Sequence, residues 1–404
     1  MKDFFSKVIE FIKSHLIAVI IGSGVIIAAI VCLVIFIGSG EEKKVTDNEK
    51  VIPSAAPVTN EPAVTAVPTP EPTQPVIEIT PTPIPEPVEP SHEGEVISVI
   101  DGGWIKEEEA AKRPYAIMFN NIGVANPQSG IGDAKILYEA LAEGGITRLM
   151  GIFEGLSEES TCKDRIGSVR SARHYFASIA DEYDAIFVHF GETTYATKKI
   201  DEIKIDHLEG TYWIGDTVFY RDEEIKAPHN AFASLEGIIN GIEKMNIRTD
   251  HKESFKANHF TFNDEFRDYA SGSDASLVRL SYSTYMSPYF VYDAASKQYT
   301  RYQFDDVHID KNTEVPLKFD NIIIQLVKEW NKDDNGYQDM ELEDASGEGY
   351  YITGGKCVPI TWKKNEKDKF MSYYDDKGEV LVINPGRTFI SVFPNYRSDK
   401  LVIE

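Results

Sequence analysis

Hydrophobic and polar positions divide the chain into three regimes. From Leu16 to Ile37 twenty-two residues pass without an Asp, Glu, Lys or Arg, and as a helix they would rise about 33 Å, the depth of a bilayer's hydrocarbon core. The run predicts a transmembrane anchor over 16–37 behind a cytoplasmic stub, 1–15. Lys2, Lys7 and Lys13 on the short leading side assign that side to the cytoplasm, so everything after residue 40 is expected outside. Gly38-Ser39-Gly40 leaves removal of the run as a signal peptide open. Residues 38–103 lose all periodicity. Twelve of the twenty prolines fall between Val51 and Ser91 among Thr, Glu, Ala and Val. Such a Pro/Thr/Glu-rich linker prefers extended polyproline geometry at about 3.1 Å per residue, enough to hold the remainder of the chain on the order of 100 Å from a membrane.

Beyond the linker the pattern is that of packed structure. Tyr115–Asn120, Ile146–Phe153 and Ala185–Phe190 read as buried strands. Asp133–Glu143 and Ser234–Met245 have helical spacing, and a helix capped by Ser168 is expected to reach about Tyr183. Alternating strands and helices predict an α/β domain over 104–257. From 258 to 404 the helical spacing fades. Short β-branched and aromatic segments such as Leu277–Ser283, Gln298–Phe304, Asn321–Val327, Gly349–Thr353, Pro359–Lys363 and Thr388–Phe393, with turns at Asp375–Gly378 and Asn384–Gly386, predict a mostly antiparallel β domain.

Charge narrows the partners. The formal net charge is -24; residues 1–50 carry six bases and six acids and 51–91 five acids and no base, so the remainder holds 35 against 54, or -19. A surface that acidic is unsuited to neutralising phosphates along a nucleic acid, and none is expected as a partner. Neither Cys162 nor Cys357 sits in a cysteine-hydrolase signature, and whether they pair stays open. The nine histidines are dispersed and no phosphate-binding glycine loop is present, so neither metal nor cofactor is expected.

Arg113-Pro114-Tyr115-Ala116-Ile117-Met118 with Asn120-Asn121, Pro127-Gln128-Ser129-Gly130, Tyr138-Glu139-Ala140 and Glu143-Gly144-Gly145-Ile146-Thr147-Arg148 stand in order before Ile166-Gly167-Ser168-Val169-Arg170-Ser171-Ala172-Arg173. Tyr183-Asp184-Ala185, His189 and Pro228-His229-Asn230 come next, then Trp362-Lys363-Lys364 and Asn384-Pro385-Gly386-Arg387-Thr388. This succession resembles the YerB-like bacterial envelope lipoproteins, which carry paired N- and C-terminal domains of unknown function. The resemblance implies a protein tethered at the outer face of the cytoplasmic membrane. It supplies no agreed catalytic residues. Family members reach the membrane by lipidation, whereas here Ile30 and Val31 precede Cys32 where a small residue is required, so the lipid anchor is put in doubt and the apolar run takes its place.

Arg170 and Arg173 are the most informative charges. On a helix opened by Ser168 they would share a face near His174 and Ser171, at the positive end of the dipole, with Arg165 and Arg148 converging on the same point. Such a set suits a phosphate or carboxylate. The alternative is that these arginines pair with Glu139, Glu143, Asp181 or Glu182 and merely tie helices to the sheet. His189 stands near the end of a strand where α/β sheets commonly bind ligands, or is a satisfied core histidine. His229-Asn230, Asn120-Asn121 and Gln128 are loop or strand-end groups able to bind a sugar or to form turns. The resulting expectation is an envelope protein binding peptidoglycan, an anionic wall polymer or another envelope protein. A wall-modifying hydrolase with carboxylate and histidine acid–base chemistry, and a non-catalytic scaffold, are the alternatives.

Overall fold

The computed structural model describes residues 92–255, 260–365 and 370–404. The expected anchor at 16–37, its stub and the proline-rich stretch to residue 91 lie outside the described residues. Among those described, no helix is long and apolar enough to cross a membrane.

The principal strands and helices are, in chain order, β1 (Glu95–Ile97), β2 (Trp104–Lys106), β3 (Tyr115–Asn121), β4 (Ile136–Leu141), β5 (Thr147–Phe153), β6 (Ile166–Gly167), α1 (His174–Glu182), β7 (Ile186–His189), α2 (Thr194–Ile203), β8 (His207–Glu209), β9 (Phe219–Arg221), β10 (Ala231–Ala233) and α3 (Leu235–Met245). They continue with β11 (Ser273–Asp274), β12 (Leu277–Leu280), β13 (Tyr289–Asp293), β14 (Gln298–Gln303), β15 (Asn321–Val327), β16 (Ala345–Thr353), β17 (Lys356–Lys364), β18 (Met371–Tyr374), β19 (Thr388–Pro394) and β20 (Leu401–Ile403).

One eleven-stranded sheet runs β11-β17-β16-β15-β19-β4-β5-β3-β7-β8, with β18 beside β17. The joint between its halves is β19 lying parallel to β4, Ile390 opposite Tyr138. Strands from both expected segments, 104–257 and 258–404, therefore share a single sheet. Its C-terminal part is largely antiparallel, apart from β15 running parallel to β19. The described residues mix sheets with few helices. A second sheet, β14-β13-β12-β20 with two short flanking strands, packs Phe290 and Phe319 onto Phe389 of β19.

The helices that form do so on local signals. Thr193 caps α2 by accepting from the Ala196 amide at 3.1 Å, and Ser234 caps α3 through the Gly237 amide at 3.0 Å. The helix predicted over Asp133–Glu143 is instead β4. All six of its residues are buried and neighbouring strands pair with both its edges; a short run buried on both faces loses the alternation that distinguishes strand from helix. The helix expected from Ser168 begins only at His174, without a side-chain cap. Ser168–Ala172 stays extended because strand ends on three sides take its backbone groups. The Val169 amide donates to Ala231 O at 2.7 Å, Arg170 to Met118 O at 3.1 Å and Ala172 to Gly191 O at 3.0 Å, while Ser168 O accepts from Asn120 at 2.9 Å. Gly167 admits this threading: at φ +146°, an added Cβ would lie 2.8 Å from the Val169 nitrogen and 3.0 Å from Ala231 O.

Within the range 38–103 expected to be linker, Glu95–Ile97 is instead β1, paired with β2 as a hairpin. Ser98 Oγ donates to Glu154 Oε2 at 2.5 Å and Lys135 Nζ meets Asp101 Oδ2 at 2.8 Å, which fastens the hairpin to the sheet. Burial pushes the Glu154 carboxyl up to about 7, with the Ser98 hydroxyl opposing the rise. The unfolded chain would release that proton near 4.5, so the folded state holds an extra proton between about pH 4.5 and 7 and loses stability as pH rises through that window. Glu154→Gln is expected to gain about 3 kcal/mol at pH 8 and almost nothing at pH 4.5, taking about 1.4 kcal/mol per pH unit of displacement. Urea midpoints at the two pH values check this; equal gains at both would remove the proton from the explanation.

Candidate functional site

Strand parity sorts the polar candidates into two groups. In the β3–β5 register Asn120 faces Arg148 and Asn121 faces Thr147, and successive residues of a strand point to opposite faces. Asn121 therefore joins Thr147 and Glu139 on one side of the sheet, and Asn120 joins Arg148 on the other.

The first side is a buried network in which Arg301 Nε and Gln303 Oε1 alone lack hydrogen-bond partners among the described residues. Glu139 Oε2 accepts from Arg301 Nη2 at 2.8 Å, with both side chains fully buried, and Oε1 accepts from Thr147 Oγ1 at 2.6 Å and Asn121 Nδ2 at 3.1 Å. Asn121 Oδ1 accepts from Gln303 Nε2 at 2.6 Å, and Gln128 Oε1 lies 2.5 Å from His308 Nε2, whose ring Nδ1 contacts Arg301. Burial together with the Arg301 and Arg387 charges drives His308 far below its usual range, so it is a neutral ring, accepting at Nδ1 and donating at Nε2 to Gln128. Asn121, Gln128 and Glu139 are thereby spent holding β3 and β4 to β14. They have no capacity left for a ligand.

The opposite side is a cationic cluster with too few acids. Arg148 is 4% exposed, and among the described residues its guanidinium makes only a 3.3 Å bond to Thr147 O, leaving Nε without an acceptor. Burial, reinforced by Arg173 and Arg170, holds its pKa down at about 9. Arg170, half-buried, reaches Pro228 O at 3.4 Å, and its Nε is likewise unmet; desolvation, then Arg173 and Arg221, lower its pKa. Of these three arginines, Arg173 alone meets a carboxylate among the described residues, the two oxygens of Glu143. Arg221 is held by Asn230 Oδ1 at 2.7 Å and stacks on Phe190 at 4.4 Å. His229 Nδ1 lies 2.9 Å from Asn120 Nδ2, and desolvation plus Arg170 and Arg148 keep this ring uncharged. Asn120 Oδ1 and Ser168 Oγ are also buried without partners. Arg148 thus avoids Glu139, the partner weighed for it, because the two residues face opposite sides of the sheet.

The remaining candidates are committed elsewhere. Arg165 pairs with Asp222 at 2.5 Å and covers the Phe232 ring at 3.7 Å. Ser171 Oγ donates to Phe190 O at 3.2 Å, and Asn230 Nδ2 donates to Asp222 O at 3.0 Å. His189 is buried against His207, and burial holds it down at about 3, hence neutral. Two clefts lie away from the arginines. One of about 580 Å³ is flanked by Trp104, Lys135 and Arg387; the other, about 600 Å³, by Ser178, Lys199 and Lys364. Both are rich in acids, and Lys135 pairs there with Asp101 and Lys199 with Glu343. Arg221, His207, Arg301, Gln303 and His308 escaped the sequence reading, because each acts through a partner remote in the chain. Arg221 alone left a trace, as the basic end of an aromatic strand, Phe219-Tyr220-Arg221.

A mixed α/β sheet protein with an under-compensated arginine cluster beside the 168–173 segment is the class this geometry defines. Residues 101–248 match the N-terminal domain, and 278–390 the C-terminal domain, of a protein family of unknown function, DUF3048. The chain is 31% identical over 293 residues to "Putative lipoprotein YerB" of Bacillus subtilis (strain 168), covering 72% of this chain and 84% of that protein. It also resembles the crystal structure of the YerB protein from Bacillus subtilis with a TM-score of 0.66 and 28% identity, over 76% of this chain and 99% of that one. The chain belongs to this DUF3048 family.

Proposed function

We propose that this is a membrane-anchored protein of the bacterial cell envelope whose ectodomain binds an anionic wall component, phosphate- or carboxylate-bearing, at Arg148 and Arg170. The observation that carries the reading is that among the described residues these two guanidinia have no carboxylate partner, with buried Nε donors unmet beside the unmet Asn120 Oδ1 and Ser168 Oγ. An anion accepts from the first pair, and the hydroxyl or amide groups of a glycan satisfy the second. The lipoprotein naming of the Bacillus subtilis relative and the apolar run 16–37 support the envelope location. Among the carboxylates that a wall hydrolase would draw on, Glu139, Glu143 and Glu182 are held by Arg301, Arg173 and Lys364, which favours binding over catalysis.

Poly(glycerol phosphate) and purified muropeptides are the probes. Thermal stabilisation of the full chain by one of them is expected, weakening with salt, and Arg170→Ala should lower the affinity roughly ten- to hundredfold, the worth of one charge-assisted bond. Turnover of purified peptidoglycan would replace binding with hydrolysis. Neither effect, together with a crosslinked envelope partner, would make the chain a scaffold.

A further inference from the structure

Away from the arginines, three side chains converge on one point. His189 closes β7, Glu192 stands in the turn before α2, and His207 opens β8; one ligating atom from each lies within 4.8 Å of the others. His189 Nε2 is 3.1 Å from His207 Nδ1 and 3.8 Å from Glu192 Oε2. An ion holding nitrogen and oxygen ligands tetrahedrally at about 2.0–2.1 Å sets them about 3.3 Å apart, so the measured separations bracket the edge of such a site. We propose that His189, Glu192 and His207 bind a divalent cation of the zinc type, water completing the fourth position. Two imidazoles and one carboxylate suit zinc or its borderline neighbours and disfavour magnesium and calcium, which require oxygen ligands.

Two independent features favour a ligand role over a packed histidine pair. The Gly191 carbonyl lies 3.0 Å from His189 Nδ1 and can only accept, which fixes the proton on Nδ1 and turns the Nε2 lone pair toward the other two residues. Backbone carbonyls orient metal-binding histidines in this way. The second feature is Glu192, whose side chain is 9% exposed. Its Oε1 accepts from Thr197 Oγ1 at 2.8 Å and Tyr212 OH at 3.1 Å, while the buried Oε2 has no hydrogen-bond donor among the described residues. A shielded carboxylate oxygen without a partner is costly, and a cation between it and the imidazoles removes the cost. Glu209 braces the turn by accepting from the Gly191 amide at 2.7 Å and the Thr211 amide at 2.9 Å. Without the ion, His207 Nδ1 donates to His189 Nε2; with it, His207 carries its proton on Nε2 and gives its Nδ1 lone pair to the metal. His207 and Glu192 are only partly buried, which leaves the ion a route from solvent.

The test uses the full chain without added histidines, stripped by a chelator and titrated with Zn²⁺ by calorimetry and with Co²⁺ by visible absorption. Binding of a single ion per chain with the intense bands of tetrahedral Co²⁺ is expected. His207→Ala and Glu192→Gln should each weaken it at least 100-fold, and Tyr212→Phe about tenfold, because outer partners are worth about 10–100-fold and ligands more. Absence of stoichiometric uptake, or unchanged affinity in both ligand variants, overturns the site. Circular dichroism reads folding; should His207→Ala unfold, Glu192→Gln decides, since it preserves shape and the Thr197 and Tyr212 bonds.

Discussion

Arg301→Met is expected to cost about 3–5 kcal/mol of unfolding free energy, the largest loss from any single substitution proposed for this chain. The reason is the Glu139 carboxylate, fully buried and 2.8 Å from the guanidinium. With Arg301 gone, Thr147 and Asn121 still donate to Glu139, but a charge remains in a medium that cannot solvate it. Glu139→Gln combined with Arg301→Met should recover most of the loss, because a neutral amide is cheap where an unpaired carboxylate is not. Denaturant unfolding of the two single variants and the double variant measures the coupling. A cost below about 1 kcal/mol for Arg301→Met would mean that water reaches the pair and that the buried network does not join β14 to β4.

Arg148→Met should move stability and binding in opposite directions. Arg148 is buried among Arg170 and Arg173, and burial together with these like charges holds its pKa at about 9, so the charged form is unfavourable in the folded chain. An apolar side chain of similar length removes that repulsion, and the fold is expected to gain about 1–3 kcal/mol. The same substitution deletes a donor aimed at the proposed anion and should weaken poly(glycerol phosphate) or muropeptide binding at least tenfold. Unfolding midpoints and calorimetry on one preparation give both numbers. A variant that loses stability would show that Arg148 is satisfied in solution, and the case for a functionally strained cluster would fall with it. The trade is expected wherever binding requires charges that folding alone disfavours.

Legibility in the sequence varied with how local each cause is. Helix α3 and the strands β3, β5 and β7 were readable because their caps, apolar runs and terminating Gly191 act over a few residues. Strand β4 was not, because an apolar hexapeptide buried on both faces has the same composition as a core helix. The 168–173 segment drew attention for its arginines, yet its extended path depends on Met118, Ala231 and Gly191, all distant in the chain. The same distance explains the candidate site. Arg173 and Arg165 found the carboxylates of Glu143 and Asp222, and Arg148 and Arg170 found none. No spacing rule distinguishes those four arginines.

Local order already determines the family, the acidic character, the apolar run with the proline-rich stretch after it and most of the strands, because periodicity, capping and composition are written residue by residue. Folding in three dimensions decided that the two halves share one sheet, that Asn120 and Asn121 serve opposite faces, which cations go unpaired, and that His189 meets His207. Those outcomes rest on register and on contacts between remote segments, where one step along a strand exchanges the core face for the site face.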